Sequence, residues 1–248
     1  MSEETVFVLV HSPLVGPLTW LRVAAMLRSL GQVTVTPTLH DDPASSAPSW
    51  QQHADSVAQV LTPLPAARPL VLVGHSGAGP LLPAIATAAQ RPVAAYVFVD
   101  AGLPGEGVSR LDAVEAEVPA FAQALRTHLA AGGRFPEWTE EDLRAIVPDD
   151  TIRRALRAEV RPRTLAFFTE PLPGWRGAPA APCVYLQLSA AYAQPAAQAR
   201  RAGWACRVFD AGHFHMLVDP GAVSHALVDL SRQVPVPSTS RDDSAGCG

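Results

Sequence analysis

The sequence predicts an α/β fold: a mostly parallel, doubly wound sheet with one inserted block of helices. Three observations carry this. Short apolar runs alternate with helical patterns, the alternation lapses once in mid-chain, and one strand runs into a glycine-rich turn that opens a helix. The strand-like runs are Val6–Val10, Val33–Thr36, Leu70–Val73, Ala95–Val99, Cys183–Leu188 and Cys206–Phe209. Helical patterns at Pro17–Leu30, Trp50–Leu61, Pro80–Gln90, Pro195–Ala202 and Pro220–Gln233 separate most of them. In such a sheet ligands bind beyond the C-terminal ends of the strands. The tips after Val10, Val73, Val99, Leu188 and Phe209 are therefore the places for chemistry.

Between Asp100 and Cys183 no strand pattern occurs. Helical patterns near Leu111–Leu129, Thr139–Ile146 and Thr151–Thr169, punctuated by Gly132-Gly133 and Pro148, predict a helical cap over the strand tips. The predicted division is a core segment 1–103, a cap 104–180, a second core segment 181–233, and a tail 234–248. The tail is rich in Pro, Ser and Asp, which predicts disorder. Phe121, Phe135, Trp138, Phe167, Phe168 and Trp175 either line an apolar pocket or form the cap's own core; for any one of them the core is the better expectation.

Composition narrows the function. Apolar residues make up 48% and charged residues 17%, within the range of soluble globular proteins. The net charge of −4 gives no basic surface for nucleic acid or an anionic membrane. The first ten residues carry acid where a secretory signal needs base, and no apolar run approaches a membrane span, so a cytoplasmic location is expected. Cys183, Cys206 and Cys247 lack metal-ligand spacing, so no metal is expected. The first two fall in strand runs and read as small buried hydrophobes. A homodimer stays open.

The turn Gly74-His75-Ser76-Gly77-Ala78-Gly79 follows the buried run Leu70–Val73. A serine on a tight strand-to-helix turn lifts its hydroxyl clear of the sheet, and the crowded turn demands small neighbours. The stretch resembles the nucleophile elbow of the α/β-hydrolase family, G-x-S-x-G, with Ala78 in place of the last glycine. A plain glycine turn in any α/β protein is one competing reading. The other is a dinucleotide fingerprint G-x-x-G-x-G with Asp100 about twenty residues on, though such fingerprints usually sit on a fold's first strand.

A nucleophilic serine needs a base, and the base an orienting acid. The run Asp210-Ala211-Gly212-His213-Phe214-His215, with Asp219-Pro220 just beyond, resembles the family's histidine loop. The resemblance makes His213 the general base and His215 the lesser candidate. The family most often places its acid after the strand that here is Cys183–Leu188. Ser189-Ala190-Ala191-Tyr192-Ala193-Gln194-Pro195 follows and holds no carboxylate. Some members place the acid one strand earlier, which selects Asp100; a turn cap is its other reading. Asp210 ranks second and Glu170 third.

The run from Val6 to Trp20 resembles the H-G-x oxyanion loop of small plant-type esterases and hydroxynitrile lyases. The family's first oxyanion donor falls at Pro13, which has no N–H. The second is Gly77. Leu14 N–H or the Ser12 hydroxyl must then substitute for the first. Hydroxynitrile lyases also use a lysine after the catalytic histidine, and this chain has no lysine. The resemblance thus implies a cofactor-free serine hydrolase acting on a small, mostly apolar ester, lactone or thioester. A lyase, cyclase or acyl-transfer enzyme, and a ligand receptor of the same fold, remain the alternatives.

Overall fold

The protein is described by a computed structural model, which covers residues 5–42 and 44–232. The predicted tail and Cys247 lie outside the described residues. One sheet of six parallel strands holds the molecule together, in the order β2-β1-β3-β4-β5-β6. The strands are β1 Val6–Val10, β2 Val33–Val35, β3 Leu70–His75, β4 Val93–Val99, β5 Cys183–Gln187 and β6 Ala205–Val208. All six match sequence expectations to within two residues at each end. The four central strands, β1, β3, β4 and β5, are short apolar runs, and a strand buried on both faces needs no alternation.

Both faces are covered. On one side Phe7, Leu9, Val71, Val73, Val97 and Leu186 pack with Trp20, Val23 and Leu27 of α1 (Leu18–Ser29) and Val223, Leu227 and Leu230 of α11 (Pro220–Arg232). On the other, Val8, Val10, Leu72, Phe98 and Tyr185 pack with Val57 and Leu61 of α2 (Ser49–Leu61) and Ile85 of α3 (Leu82–Ala89). Alternate residues of each strand serve opposite faces, as the pleat requires. The α9 helix (Ala193–Arg201) joins the second face through Ala196 and Ala199.

Between β4 and β5 lie five helices: α4 Arg110–Glu117, α5 Pro119–Ala130, α6 Glu140–Arg144, α7 Asp150–Ala158 and α8 Leu165–Thr169. Two predicted helices are each split. Pro119 opens a new helix because its ring fits only a first turn, leaving Val118 outside the helical conformation. The run expected from Thr151 to Thr169 breaks between Ala158 and Leu165, where Pro162 stands. Phe167 and Phe168 are buried with Leu111, Leu125 and Leu129 in a local core, while Phe121 is 45% exposed. Trp138 instead meets Phe214 at 6.0 Å, and Trp175 meets Tyr96 at 4.7 Å on the opposite sheet face.

The register decides where chemistry can occur. Val10 pairs with Gly74, His75 with Val99, Val99 with Leu186, and Gln187 with Val208. The residues just past these tips therefore stand in a row along one edge. The winding reverses between β1 and β3, which leaves a crevice at their C-terminal ends. His11-Ser12 and Ser76 flank it.

Candidate active site

Ser76 follows β3 directly and begins a 3₁₀ segment, Ser76–Leu81, that leads into α3. Its φ is +56°, in the left-handed region that costs a non-glycine residue about 1 kcal/mol or more. The turn can be this tight because its neighbours are small. A Cβ on Gly74 would lie 3.1 Å from the Ala78 backbone. One on Gly79 would strike Gly102 O and come within 2.8 Å of Ala101 Cβ. Ala78 stands where the family motif has its final glycine, yet a close backbone approach falls at Gly79. Ala78 is fully buried.

Asp100 leaves β4 with a φ of +43° and is completely buried. Tyr185 fixes the following turn: its hydroxyl donates to Ala101 O at 2.7 Å and accepts from Ala101 N at 3.1 Å. The Asp100 carboxylate accepts four hydrogen bonds. Oδ1 takes Leu188 N–H at 2.8 Å and Ser189 N–H at 2.9 Å. Oδ2 takes the Ser189 hydroxyl at 2.6 Å and His213 Nδ1 at 2.7 Å. A buried carboxylate is tolerable only with such a shell. Since a carboxylate only accepts, Nδ1 of His213 carries the proton of this bond.

The other acid and base candidates lie elsewhere. Glu170 accepts from Ser49 N, Ser49 Oγ and Trp50 N at the start of α2 and from Arg110, so it caps a helix. Asp210 is exposed. His215 opens the short helix α10 (His215–Val218) and meets Phe209 edge-on at 5.7 Å.

Tyr192, passed over among the residues after β5, sits in the middle of the site. Its hydroxyl is 3.1 Å from Ser76 Oγ, and its ring stacks on His213 at 5.0 Å and 4°. Burial pushes its pKa upward, so it stays protonated. Among the described residues no hydrogen bond joins Ser76 to His213; such contacts are often long before substrate binds. The signal was its place: it follows a strand tip of the predicted catalytic edge.

His75 lies beneath, fully buried, with its ring 4.5 Å from that of His213. Its Nε2 donates to His213 O at 3.0 Å, fixing the loop that carries His213. Burial holds its pKa well below 6.5, and the neighbouring His213 acts the same way. Trp20 donates to Val10 O at 3.0 Å and packs edge-on against His75.

In the loop after β1, Leu14 N–H donates to Ser12 Oγ at 3.3 Å. Leu14 N–H is thereby committed, while the Ser12 proton is free to be given to another acceptor. A Cβ on Gly77 would lie 3.3 Å from Ser12 Oγ, so the two candidate donors are neighbours. Among the described residues no group of three or more His, Cys, Asp or Glu side chains is placed to hold a metal ion, and no helix is long and apolar enough to cross a membrane.

A family model described as the alpha/beta hydrolase family matches residues 7–226. The chain belongs to the alpha/beta hydrolase family. Several solved structures share its fold. An extracellular alpha/beta-hydrolase from a Paenibacillus species, described as homologous to tobacco Salicylic Acid Binding Protein 2, is 20% identical over 92% of this chain and 99% of that one, with a TM-score of 0.75. A pyrethroid hydrolase from Sphingobium faniae JZ-2 is 19% identical over 92% and 97%, at 0.70. A point variant of tomato methylketone synthase I, bound to β-ketoheptanoate, is 17% identical over 93% and 98%, at 0.69. At these identities the likeness establishes the alpha/beta hydrolase fold. No curated protein matches the sequence.

Proposed function

We propose that this alpha/beta hydrolase is a serine hydrolase that cleaves a small, mostly apolar carboxylic ester, lactone or thioester by way of an acyl-enzyme. The observation that carries the reading is the 2.7 Å bond between buried Asp100 and His213 Nδ1, one strand tip away from Ser76 on its strained turn. Ser76 Oγ attacks the carbonyl carbon and passes its proton to His213 Nε2. Asp100 keeps the imidazole in the right tautomer and stabilises its charged form. His213 then protonates the leaving group and later takes a proton from the water that releases the acid.

Charge on the carbonyl oxygen is met by Gly77 N–H and the Ser12 hydroxyl. Pro13 cannot donate, and Leu14 N–H serves Ser12 instead. In this reading Tyr192 is the donor of its 3.1 Å bond to Ser76 Oγ, which leaves the serine's own proton free for His213. Its ring covers one face of the imidazole and restricts the space beside the reacting bond. The helices between β4 and β5 act as the cap in this reading: Trp138 reaches Phe214 beside the base, and Leu14 packs against their local core.

The pairing of a missing loop amide at Pro13 with a tyrosine on Ser76 also favours a second reading, a lyase, cyclase or acyl-transfer step at the same residues. A panel of p-nitrophenyl and small aliphatic esters, lactones and thioesters incubated in ¹⁸O-labelled water separates the two. Hydrolysis places the label in the acid product. Turnover without label assigns the step to the other class. Tight binding of a test ester without turnover would make the protein a receptor.

A further inference from the structure

We propose that Arg163 is a positioning residue for the oxyanion site, rebuilding through the Pro13–Leu14 peptide the donor that Pro13 lacks; this rests on the hydrolase reading above. Arg163 Nε and Nη2 both donate to Pro13 O, at 3.2 and 3.1 Å. The other side of the same guanidinium holds Asp41, through Nη1 to Oδ2 at 2.5 Å and Nη2 to Oδ1 at 3.0 Å. Both side chains are largely buried, at 14% and 13% exposure. Asp41 is pinned in turn by the fully buried His53, Nε2 to Oδ1 at 3.2 Å.

The coupling to the site follows from peptide geometry. The Pro13–Leu14 peptide is trans, so its C=O and N–H point in opposite directions. Holding Pro13 O outward on Arg163 turns Leu14 N–H inward, where it meets Ser12 Oγ at 3.3 Å. That bond occupies a Ser12 lone pair and turns the hydroxyl proton towards a new acceptor, beside Gly77. Arg161 braces the same loop, its N–H on Leu14 O at 2.9 Å and its Nη1 on Leu39 O at 2.6 Å. A fork is needed to span carbonyl and carboxylate at once; a lysine ammonium is a single point.

The test is steady-state hydrolysis of p-nitrophenyl acetate by wild type, Arg163→Lys, Arg163→Met, Ser12→Ala and the double variant Ser12→Ala/Arg163→Met, with thermal unfolding beside each. Loss of an oxyanion donor lowers kcat by about 10²–10³. The expected result is a fall of roughly 10–100-fold in kcat for Arg163→Met with KM little changed, and no rescue by lysine. In the Ser12→Ala background the same substitution should cost no more than about twofold, because the route through Ser12 is already gone. Should Arg163→Met fail to fold, Asp41→Asn loosens the guanidinium and must give the same dependence on Ser12. Additive losses, a KM effect alone, or full rescue by lysine overturn the assignment. No ester turnover by wild type overturns the hydrolase reading beneath it.

Discussion

Acidification below about pH 6.5 should destabilise this protein, because three histidines are buried in it. His11, His53 and His75 are each fully buried, and burial lowers the pKa of all three. His11 is held at about 4 against an ordinary 6.5. Its two ring nitrogens are already used, Nδ1 on Ser12 O and Nε2 on Leu39 N–H, so protonation also breaks a bond. Between 6.5 and about 4 the unfolded chain binds the proton that the folded one refuses, so stability is lost as pH falls through that window. For His11 alone the difference integrates to about 2 kcal/mol at about pH 5, and the direction is the same for His53 and His75. Glu117, whose carboxyl burial raises, works the other way nearer its ordinary 4.5. Urea unfolding followed by circular dichroism at about pH 7.5 and about pH 5 reads the change, and a His11→Gln variant should lose about 2 kcal/mol of it. A wild-type midpoint that stays put over this range, or equal pH dependence in the two proteins, refutes the reasoning.

Other predictions follow from single contacts. Asp100→Asn keeps the shape but offers an amide where His213 Nδ1–H needs an acceptor; kcat should fall by roughly 10⁴ in an ester assay while the fold persists. Tyr192→Phe removes the hydroxyl from Ser76 and keeps the stacked ring, so kcat should drop by about fivefold to tenfold, as expected for one hydrogen bond. Gly79→Ala drives a methyl into Gly102 O and Ala101 Cβ; thermal unfolding should show a loss of about 1–3 kcal/mol.

Much of this architecture was legible in the sequence. The four central strands, β1, β3, β4 and β5, are apolar on both faces, so periodicity was not needed to find them. Ser76, Asp100 and His213 each follow a strand tip, and a parallel sheet brings such tips to one edge. That is why three residues spread over more than half the chain could be grouped in advance. The helices between β4 and β5 were harder. The predicted helical patterns ran across Pro119 and Pro162, yet Pro119 opens a separate helix and Pro162 stands in the break between two others. Tyr192 was missed because the loop after β5 was searched for a carboxylate, and a tyrosine carries no charge to betray it. The Arg163–Asp41 pair joins residues 122 positions apart through side chains alone, and no local pattern encodes that. The choice between Leu14 and Ser12 turned on one hydrogen bond, which spacing could not supply.

The central claim is that Ser76 is an activated nucleophile with His213 as its base. Intact-mass spectrometry after exposure to a fluorophosphonate tests it directly, with Ser76→Ala and His213→Ala beside the wild type. The account predicts one adduct on wild type and none on either variant. A folded wild type that stays unlabelled, or a Ser76→Ala protein that still takes the adduct, would contradict it.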